Sequence, residues 1–307
     1  MNQAISPNAH IDSQSSIMAA MDIWEIYLLD QGRSQYTVKS FRGDLRLLSK
    51  YLPADKTVGN ITTTDLTHFI EWLESGRGKN IPCSPKSLAR RITTLKSFFR
   101  WLAEHGRIGF DPADAILQHS VISPLPEILT ISEVDRVTGT AQKIAESENP
   151  DQRPLALLKL VLETGIKKSE CLNLKLAHVF NEETGSYIFV RYPDQKDRNK
   201  ERKIPVSAEW MEIYQRYLQQ YKLENAVFPW SPRRLEYVLE DIGKAAGIAK
   251  HLSFSMCRWN CALADRYSGM ESDAIRQKLG ISKIQWREIS LKLKELSQAY
   301  VNEDHSF

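Results

Sequence analysis

The sequence of 307 residues lacks the features of several classes of protein. Its longest apolar run, Leu155 to Leu162, is short and contains Lys159, so the sequence predicts no membrane span. The four cysteines form no CxxC pair and have no histidine at the spacing of a metal site, which predicts reduced thiols and no bound metal. Neither a glycine-rich phosphate loop nor an internal repeat is present, and no cofactor is expected.

The net charge is also low. The sequence has 41 basic and 38 acidic residues, a formal charge of +3, so nucleic-acid binding must be argued from local clusters of charge. The segment from Met1 to Met18 is polar and has no apolar signal-peptide core, and we expect residues 1–17 to form a disordered tail. The reduced cysteines and the lack of a signal peptide predict a cytoplasmic protein.

Residues 18–116 have the periodicity of four amphipathic helices, which predicts a small helical bundle. Gly32 is a suitable end for the first helix. Thr62 or Thr63 can cap the third, and Ser84 followed by Pro85 begins the fourth. The apolar stripe of the fourth helix comprises Leu88, Ile92, Leu95, Phe99 and Leu102.

Basic residues lie off the apolar stripes of the second and fourth helices. The window from Lys86 to Arg100 contains no acidic residue, so this helix face has one sign of charge. A solvated helix face usually mixes both signs, and the one-signed pattern therefore favours a phosphate-binding surface. The residues predicted to contact DNA here are Thr37, Lys39, Arg42, Lys86, Arg90, Arg91 and Lys96.

The second half of the chain is predicted to be a separate α+β domain. Thr130 and Glu133 have the spacing of a capping box, and helices follow to about residue 176. Tyr187–Val190 and Lys203–Val206 are predicted strands, and the remainder to 301 is helical. The predicted boundaries are 18–116 for the first domain, 117–126 for a linker, 127–303 for the second domain and 304–307 for a tail. The fold class is therefore mainly α with a small β-sheet.

Three segments of the second half, in the order 164–174, 252–259 and 279–281, resemble the active-site motifs of the tyrosine recombinases, or phage integrases. Their sequences are TGIKKSECLNL, LSFSMCRW and LGI. The strings at 32–42 and 84–91 also resemble the two DNA-facing helices of the family's core-binding domain. This resemblance implies an N-terminal helical core-binding domain, a catalytic-type recombinase domain, and double-stranded DNA as the partner.

The resemblance also implies where the reactive residues belong. Cleavage by this family needs a tyrosine nucleophile, two arginines on the phosphate, a lysine acid and a supporting histidine or tryptophan. Lys167 occupies the first arginine position and lacks the fork that grips two oxygens, a loss of roughly 10³-fold or more by analogy with catalytic arginines. Ser255 replaces the histidine of the motif that retains Arg258. Ile281 replaces the second histidine, and Ser290 falls on the nucleophile position.

The hairpin lysine of the family has more than one candidate. Lys196 is the best match, with Lys200 and Lys203 as neighbours, because the connection before them is longer than usual. The cluster is either a solvated turn or a phosphate contact. Lys200, Arg202 and Arg258 complete the set of residues that we predict to contact DNA.

Two tyrosines and a histidine lie near these positions without matching them. Tyr267 precedes the third motif, and His251 precedes the second in an expected loop. Tyr300 falls ten residues past the nucleophile position and shares a helical stripe, which predicts packing against protein and, by the resemblance, docking of the terminal helix into a neighbouring protomer. The stripe comprises Ile289, Leu293, Leu296 and Tyr300.

Four exchanged positions favour a catalytically degenerate recombinase. The first hypothesis is a DNA-binding pseudoenzyme, associated with the nucleoid, that serves as an architectural or regulatory factor in DNA recombination or integration. Its partners would be other copies on DNA or an active recombinase. The alternative is an active but divergent recombinase with an unrecognised nucleophile or one from another protomer. A scaffold that has lost DNA binding is the third hypothesis, and the basic helix faces argue against it.

Overall fold

The computed structural model describes residues 11–78, 81–118 and 124–304, apart from the side chains of Lys196 and of residues 299–304. The chain divides into two compact units, Met1–Pro124 and Leu125–Phe307. Within the described ranges, no helix is long and apolar enough to cross a bilayer.

The first unit is a bundle of four helices. They are α1 (Ile17–Asp30), α2 (Gln35–Tyr51), α3 (Thr63–Glu74) and α4 (Pro85–Glu104). Thr62, one of the two candidates in the sequence, caps α3 and forms a capping box with Asp65. Ser84 caps α4 with Pro85 in its first turn, as the sequence predicts. Trp24 organises the core, since its ring stacks on Phe41 at 5.6 Å and meets Phe98 edge-on at 5.2 Å.

The prediction of a disordered tail over residues 1–17 is wrong for residues 11–17. Ile11 is only 4% exposed, and its carbonyl accepts a hydrogen bond from Arg107. The carbonyls of Ser13 and Ser15 accept from the backbone of residues 59 and 58. An apolar anchor and backbone pairing fix this segment, and neither feature follows from its polar composition. Residues 1–10 lie outside the described residues, as do 305–307 of the predicted C-terminal tail.

The second unit is a helical domain with one small sheet. Its helices are α5 (Ile131–Ala145), α6 (Gln152–Thr164), α7 (Lys168–Leu172), α8 (Ala208–Gln220), α9 (Pro232–Ala245), α10 (Phe254–Tyr267), α11 (Ser272–Lys278) and α12 (Lys283–Asp304). The apolar run from Leu155 to Leu162 lies within α6, whose residues are buried on most sides by the neighbouring helices. Its apolarity therefore reflects a central helix of a globular core.

The sheet has three antiparallel strands in the order β1-β2-β3. They are β1 (Val179–Glu182), β2 (Gly185–Val190) and β3 (Arg202–Pro205). Ile188 pairs with Val179 on one side and with Ile204 on the other. The sequence predicts the second and third strands and misses β1, which has no buried side chain. The fold class, mainly α with a small sheet, is confirmed.

Candidate functional site

Two glycine turns of the second unit close against each other. Gly165 ends α6 with a φ of +57°, and a Cβ atom there would lie 2.6 Å from the Cδ2 atom of Leu279. Gly280 follows α11 with a φ of +58°. Close approach and left-handed backbone both require glycine at these positions. The first and third sequence motifs therefore meet in space.

The carbonyl groups of residues 278–281, at the C-terminal end of α11, each accept a hydrogen bond from a basic side chain. In the order of the carbonyls, the donors are Arg202, Arg258, Lys167 and Arg276. The Arg202 Nε, Lys167 Nζ and Arg276 Nη1 atoms lie 2.6, 3.0 and 3.0 Å from their acceptors. Cations suit this place because a helix end leaves carbonyls without partners and carries partial negative charge. We call this arrangement the carbonyl collar.

Glu170 supplies the negative charge beside the carbonyl collar. Its side chain is 1% exposed and accepts two hydrogen bonds from Arg202, at 3.0 and 2.9 Å. The Lys167 Nζ atom lies 3.5 Å away, and the Tyr192 hydroxyl donates to the same carboxylate. Burial by itself raises the pKa of Glu170, but the hydrogen bonds and charges of Arg202 and Lys167 outweigh it and lower the pKa to about 2.

A pocket of about 490 Å³ opens beside the collar. Its walls bring together the first-motif lysine, the end of the β2–β3 connection and the turn after α11. The lining residues are Lys167, Asn199, Lys200, Glu201, Arg202, Arg276, Gln277, Gly280, Ile281, Ser282 and Gln285. Four of these side chains are cationic and one, Glu201, is acidic, so the lining is net positive and its chemistry suits an anion such as a phosphate group.

Burial shifts the ionisation of the basic groups in the collar. It lowers the pKa of Lys167, against the opposing effect of Glu170. It also lowers the pKa of Arg258 to about 10, a value at which the guanidinium stays charged at neutral pH. Arg258 is therefore held as a cation in a largely desolvated place, and the charge of Glu170 favours the charged form of both groups.

Comparisons with known proteins show the family of the chain. Residues 21–106 match the model "Phage integrase, N-terminal SAM-like domain", and residues 127–289 match "Phage integrase family". The chain belongs to the phage integrase family. The chain is 29% identical over 290 residues to tyrosine recombinase XerC of Corynebacterium efficiens, covering 90% of this chain and 87% of that protein. It is 22% identical over 298 residues to tyrosine recombinase XerD of Listeria innocua, covering 91% and 97%.

Solved structures of integrases share the fold. A lambda integrase dimer bound to a COC' core site has a TM-score of 0.70 at 17% identity, and the match covers 90% of this chain and 78% of that one. The XerH site-specific recombinase bound to palindromic difH substrate has a TM-score of 0.69 at 16% identity, with 95% and 84% covered. The pocket beside the carbonyl collar thus lies within an integrase-type domain.

The predicted active-site positions of this integrase-family chain do not all face the pocket. Lys167 and Ile281 line it. Arg258 does not line it but donates to the Leu279 carbonyl in the carbonyl collar. Ile281 is 9% exposed and belongs to an apolar cluster with α10, α11 and α12. Ser255 is exposed in the first turn of α10, one turn before Arg258. The Ser290 hydroxyl donates to the carbonyl of residue 287 within its own helix, at 3.1 Å.

The nearby tyrosines have structural partners. The Tyr267 hydroxyl donates to the carbonyl of Ser297 at 2.6 Å, which ties α10 to α12. Tyr192, which sequence reasoning missed, donates to Glu170, and burial and that carboxylate raise its pKa. The side chain of Tyr300 lies outside the described residues. Leu293 and Leu296 are buried in the apolar cluster of their own unit, and Ile289 packs against it.

The hairpin residues also separate in space. Lys196 lies in the 3-10 turn at 195–200, and its side chain lies outside the described residues. Lys200 lines the pocket while its Nζ atom is 2.6 Å from Asp197. Lys203 is on the sheet, with its Nζ atom 4.4 Å from the centre of the Tyr187 ring. His251 is exposed in the loop before α10.

The basic face of α4 has an acidic residue beside it in the structure, although the sequence of α4 contains none between Lys86 and Arg100. Asp44 of α2 is buried and pairs with Arg90 and Arg91 of α4. Burial raises the pKa of this carboxyl group, and the hydrogen bond from Thr94 and the two arginines oppose that effect. The one-signed interpretation of α4 needs this correction, because the compensating acid comes from another helix.

Two further predicted DNA contacts have partners inside the first unit. Arg42 pairs with Asp22 and Glu25 of α1. The Lys96 Nζ atom donates to three carbonyls of residues 113–116, at 2.7 to 3.2 Å, so it holds the chain after α4. By contrast, Lys39 and Lys86 are exposed. Thr37 is half-buried, and its hydroxyl hydrogen-bonds that of Ser34 at 2.9 Å.

We expect Glu170 to make the second unit sensitive to acid. Its folded pKa of about 2 lies below the ordinary value of 4.5, so its stabilisation is complete above about pH 4.5 and is lost as the pH falls toward 2. The shift corresponds to about 3 kcal/mol of unfolding free energy. Urea unfolding across this pH range should show that loss in wild type. It should be absent in Glu170→Gln and retained in the control Glu183→Gln, which alters an exposed carboxylate. A wild-type curve parallel to that of Glu170→Gln would contradict the assignment.

We also expect Gly280→Ala to damage the carbonyl collar. A Cβ atom at Gly280 would lie 2.6 Å from the Arg202 Nη1 atom, on left-handed backbone. Displacement of Arg202 and backbone strain should lower the unfolding free energy by about 1–3 kcal/mol. The control is Gly139→Ala within α5, where a Cβ atom meets nothing within 4 Å and should stabilise the helix by up to about 1 kcal/mol. Equal melting temperatures for the two variants would refute this prediction.

Proposed function

We propose that this integrase-family chain binds double-stranded DNA without cleaving it and acts as an architectural or regulatory factor in DNA recombination or integration. One observation carries the proposal. The pocket retains cations suited to a phosphate, but none of its described lining residues is a tyrosine, and Ser290 bonds to its own helix. We infer that such a site binds a phosphodiester, while the described lining residues offer no phenol to attack it.

The substituted positions weaken each part of the cleavage chemistry. The Lys167 ammonium donates to the Gly280 carbonyl as a point charge, whereas an arginine could grip two phosphate oxygens at once. Ile281 makes one wall apolar and cannot hydrogen-bond the phosphate. A serine at 290 has no base assigned to it among the described contacts and is shorter than a phenol.

DNA binding is supported by the exposed lysines of the first unit and by the cationic pocket of the second. The integrase and recombinase structures that share the fold are described as bound to core-site and difH DNA. Phosphate contacts of this kind give affinity without sequence information. We further propose that the partners are other copies of the chain on DNA or an active recombinase, and that the protein acts in the cytoplasm at the nucleoid.

An active, divergent recombinase would need a different nucleophile. Tyr192 is the candidate that the geometry offers, because its hydroxyl reaches Glu170 beside the pocket. That hydroxyl is held as a donor, and its raised pKa disfavours the phenolate. Glu170 is a weak base, since its pKa is about 2. These contacts favour the non-cleaving function.

The test of chemistry is covalent capture on nicked suicide DNA. Wild type should give no adduct, and Ser290→Ala should change nothing. Ser290→Tyr alone should also fail, because Lys167 and Ile281 leave the phosphate poorly neutralised. The combined variant Lys167→Arg, Ser255→His, Ile281→His and Ser290→Tyr is expected to give at most weak cleavage. A wild-type adduct mapped by mass spectrometry to any residue would overturn the proposal.

The test of DNA binding uses the exposed lysines. Replacing Lys39 and Lys86 together by glutamine should weaken binding on all sequences and flatten the slope of log affinity against log salt by about 2 units. The control replaces Lys143 and Lys222, two exposed lysines of the second unit, in the same way. Fluorescence anisotropy over a salt series measures both. Equal slopes of log affinity against log salt in the two double variants would refute the proposal that this surface binds DNA.

A further inference from the structure

Asp44 is a buried carboxylate within the proposed DNA-binding surface. It is 4% exposed, although it belongs to α2, whose outer face carries the basic residues. Burying a carboxylate costs free energy unless charges and hydrogen bonds satisfy it. The partners of Asp44 must therefore offset the cost of burying its carboxylate.

Those partners come from α4. The Oδ2 atom accepts from Arg90 and from the Thr94 hydroxyl, the latter at 2.9 Å. The Oδ1 atom lies 3.4 Å from the Arg91 Nε atom. A second Arg91 nitrogen donates to the Cys83 sulfur. One carboxylate thus accepts a hydrogen bond from Arg90 and forms a longer ion pair with Arg91, whose Nε atom makes no hydrogen bond among the described residues.

The two arginines differ in exposure. The Arg90 side chain is 41% exposed, whereas that of Arg91 is 15% exposed. Arg90 uses its Nη1 atom for Asp44 and for the carbonyl of Ser40 at 3.4 Å. A guanidinium has five donor hydrogens in a rigid plane, so further donors of Arg90 remain directed away from the carboxylate. Arg91 is mostly buried within the first unit. Arg90 is partly exposed, and its Nε and Nη2 donors are not used by the contacts of its Nη1 atom.

We propose that Asp44 is a positioning residue for DNA binding, because it holds the Arg90 guanidinium in one orientation for a DNA phosphate. The proposal rests on the proposed DNA binding of the first unit. Orienting a long side chain before binding removes part of the entropy that binding would otherwise lose. Asp44 itself is buried and has no part in the phosphate contact.

Charge alone predicts the opposite effect of removing Asp44. Neutralising an acid near a DNA-binding surface raises the local positive potential and should strengthen binding. Loss of positioning should weaken binding, since Arg90 is then free to adopt many rotamers. The sign of the change in affinity therefore separates a positioning residue from a simple neutralising charge.

The experiment compares Asp44→Asn with Asp65→Asn in the full chain. Asp65 also lies in the first unit, pairs with Lys56 at 2.9 Å and caps α3, so its variant removes the same charge from a different helix. Anisotropy with a labelled duplex should show about fivefold to tenfold weaker binding for Asp44→Asn. Asp65→Asn should bind as wild type or slightly tighter. Affinity of Asp44→Asn equal to or above that of Asp65→Asn overturns the positioning role.

A double-mutant cycle excludes a merely structural effect. If Asp44 acts through Arg90, then Asp44→Asn should change affinity little in an Arg90→Ala background. An equal loss in both backgrounds would show that Asp44 only supports the fold, and would refute the proposal.

Should Asp44→Asn fail to fold, Thr94→Val tests the same contact without a change of charge. Thr94 is fully buried, and its hydroxyl contacts both the Asp44 carboxylate, at 2.9 Å, and the backbone carbonyl of Arg90, at 3.1 Å. Its variant should therefore loosen the Asp44–Arg90 pair and weaken binding by about twofold to threefold. Unchanged affinity in a folded Thr94→Val chain would overturn the proposal. Failure of the underlying DNA surface is separate, since it would appear in the lysine variants as an unchanged salt slope.

Discussion

The contacts at the C-terminal end of α11 hold several separate parts of the second unit together. Four successive carbonyls, those of residues 278–281, lie at and just after this helix end, and each accepts a hydrogen bond from a cationic side chain. Those cations belong to the segment before α7, to β3, to α10 and to α11 itself. Gly280 leaves room for Arg202, and Gly165 leaves room for Leu279. The buried negative charge of Glu170 offsets part of the free-energy cost of placing these cations in a desolvated region.

The carbonyl collar and the cleavage of DNA make different demands on the residue at position 167. A single carbonyl needs only one donor, so the Lys167 ammonium can complete the carbonyl collar. A transferring phosphate needs the planar fork of arginine and a phenol in line with the phosphorus. Under the proposed function, Lys167 serves the carbonyl collar, and positions 255, 281 and 290 carry neither a histidine nor a tyrosine.

In the first unit, too, some basic side chains satisfy acceptors inside the protein. Its basic residues are divided between those that satisfy internal acceptors and those that face solvent. Lys96 holds backbone carbonyls and Arg42 holds two acids of α1, while Lys39 and Lys86 remain exposed. Arg90 does both, because one edge of its guanidinium contacts Asp44 and a large part of its side chain is exposed. A count of basic residues on a helix therefore overestimates the charge that DNA can meet.

The sequence by itself determined the helices, their caps and the fold class, because periodicity and capping act over three or four residues. The capping box at Thr130, the start of α4 at Ser84 and the strands β2 and β3 followed from local patterns. Strand β1 has no buried side chain, so it carried too little apolar pattern to be recognised. Only the tertiary structure decided which cations are free, since Thr94 and Asp44 are 50 residues apart and Lys167 lies 113 residues from its acceptor. Pairing over such separations depends on how helices pack, and one-dimensional spacing does not encode it. The order of residues 11–17, the role of Tyr192 beside Glu170 and the carbonyl collar were decided in the same way.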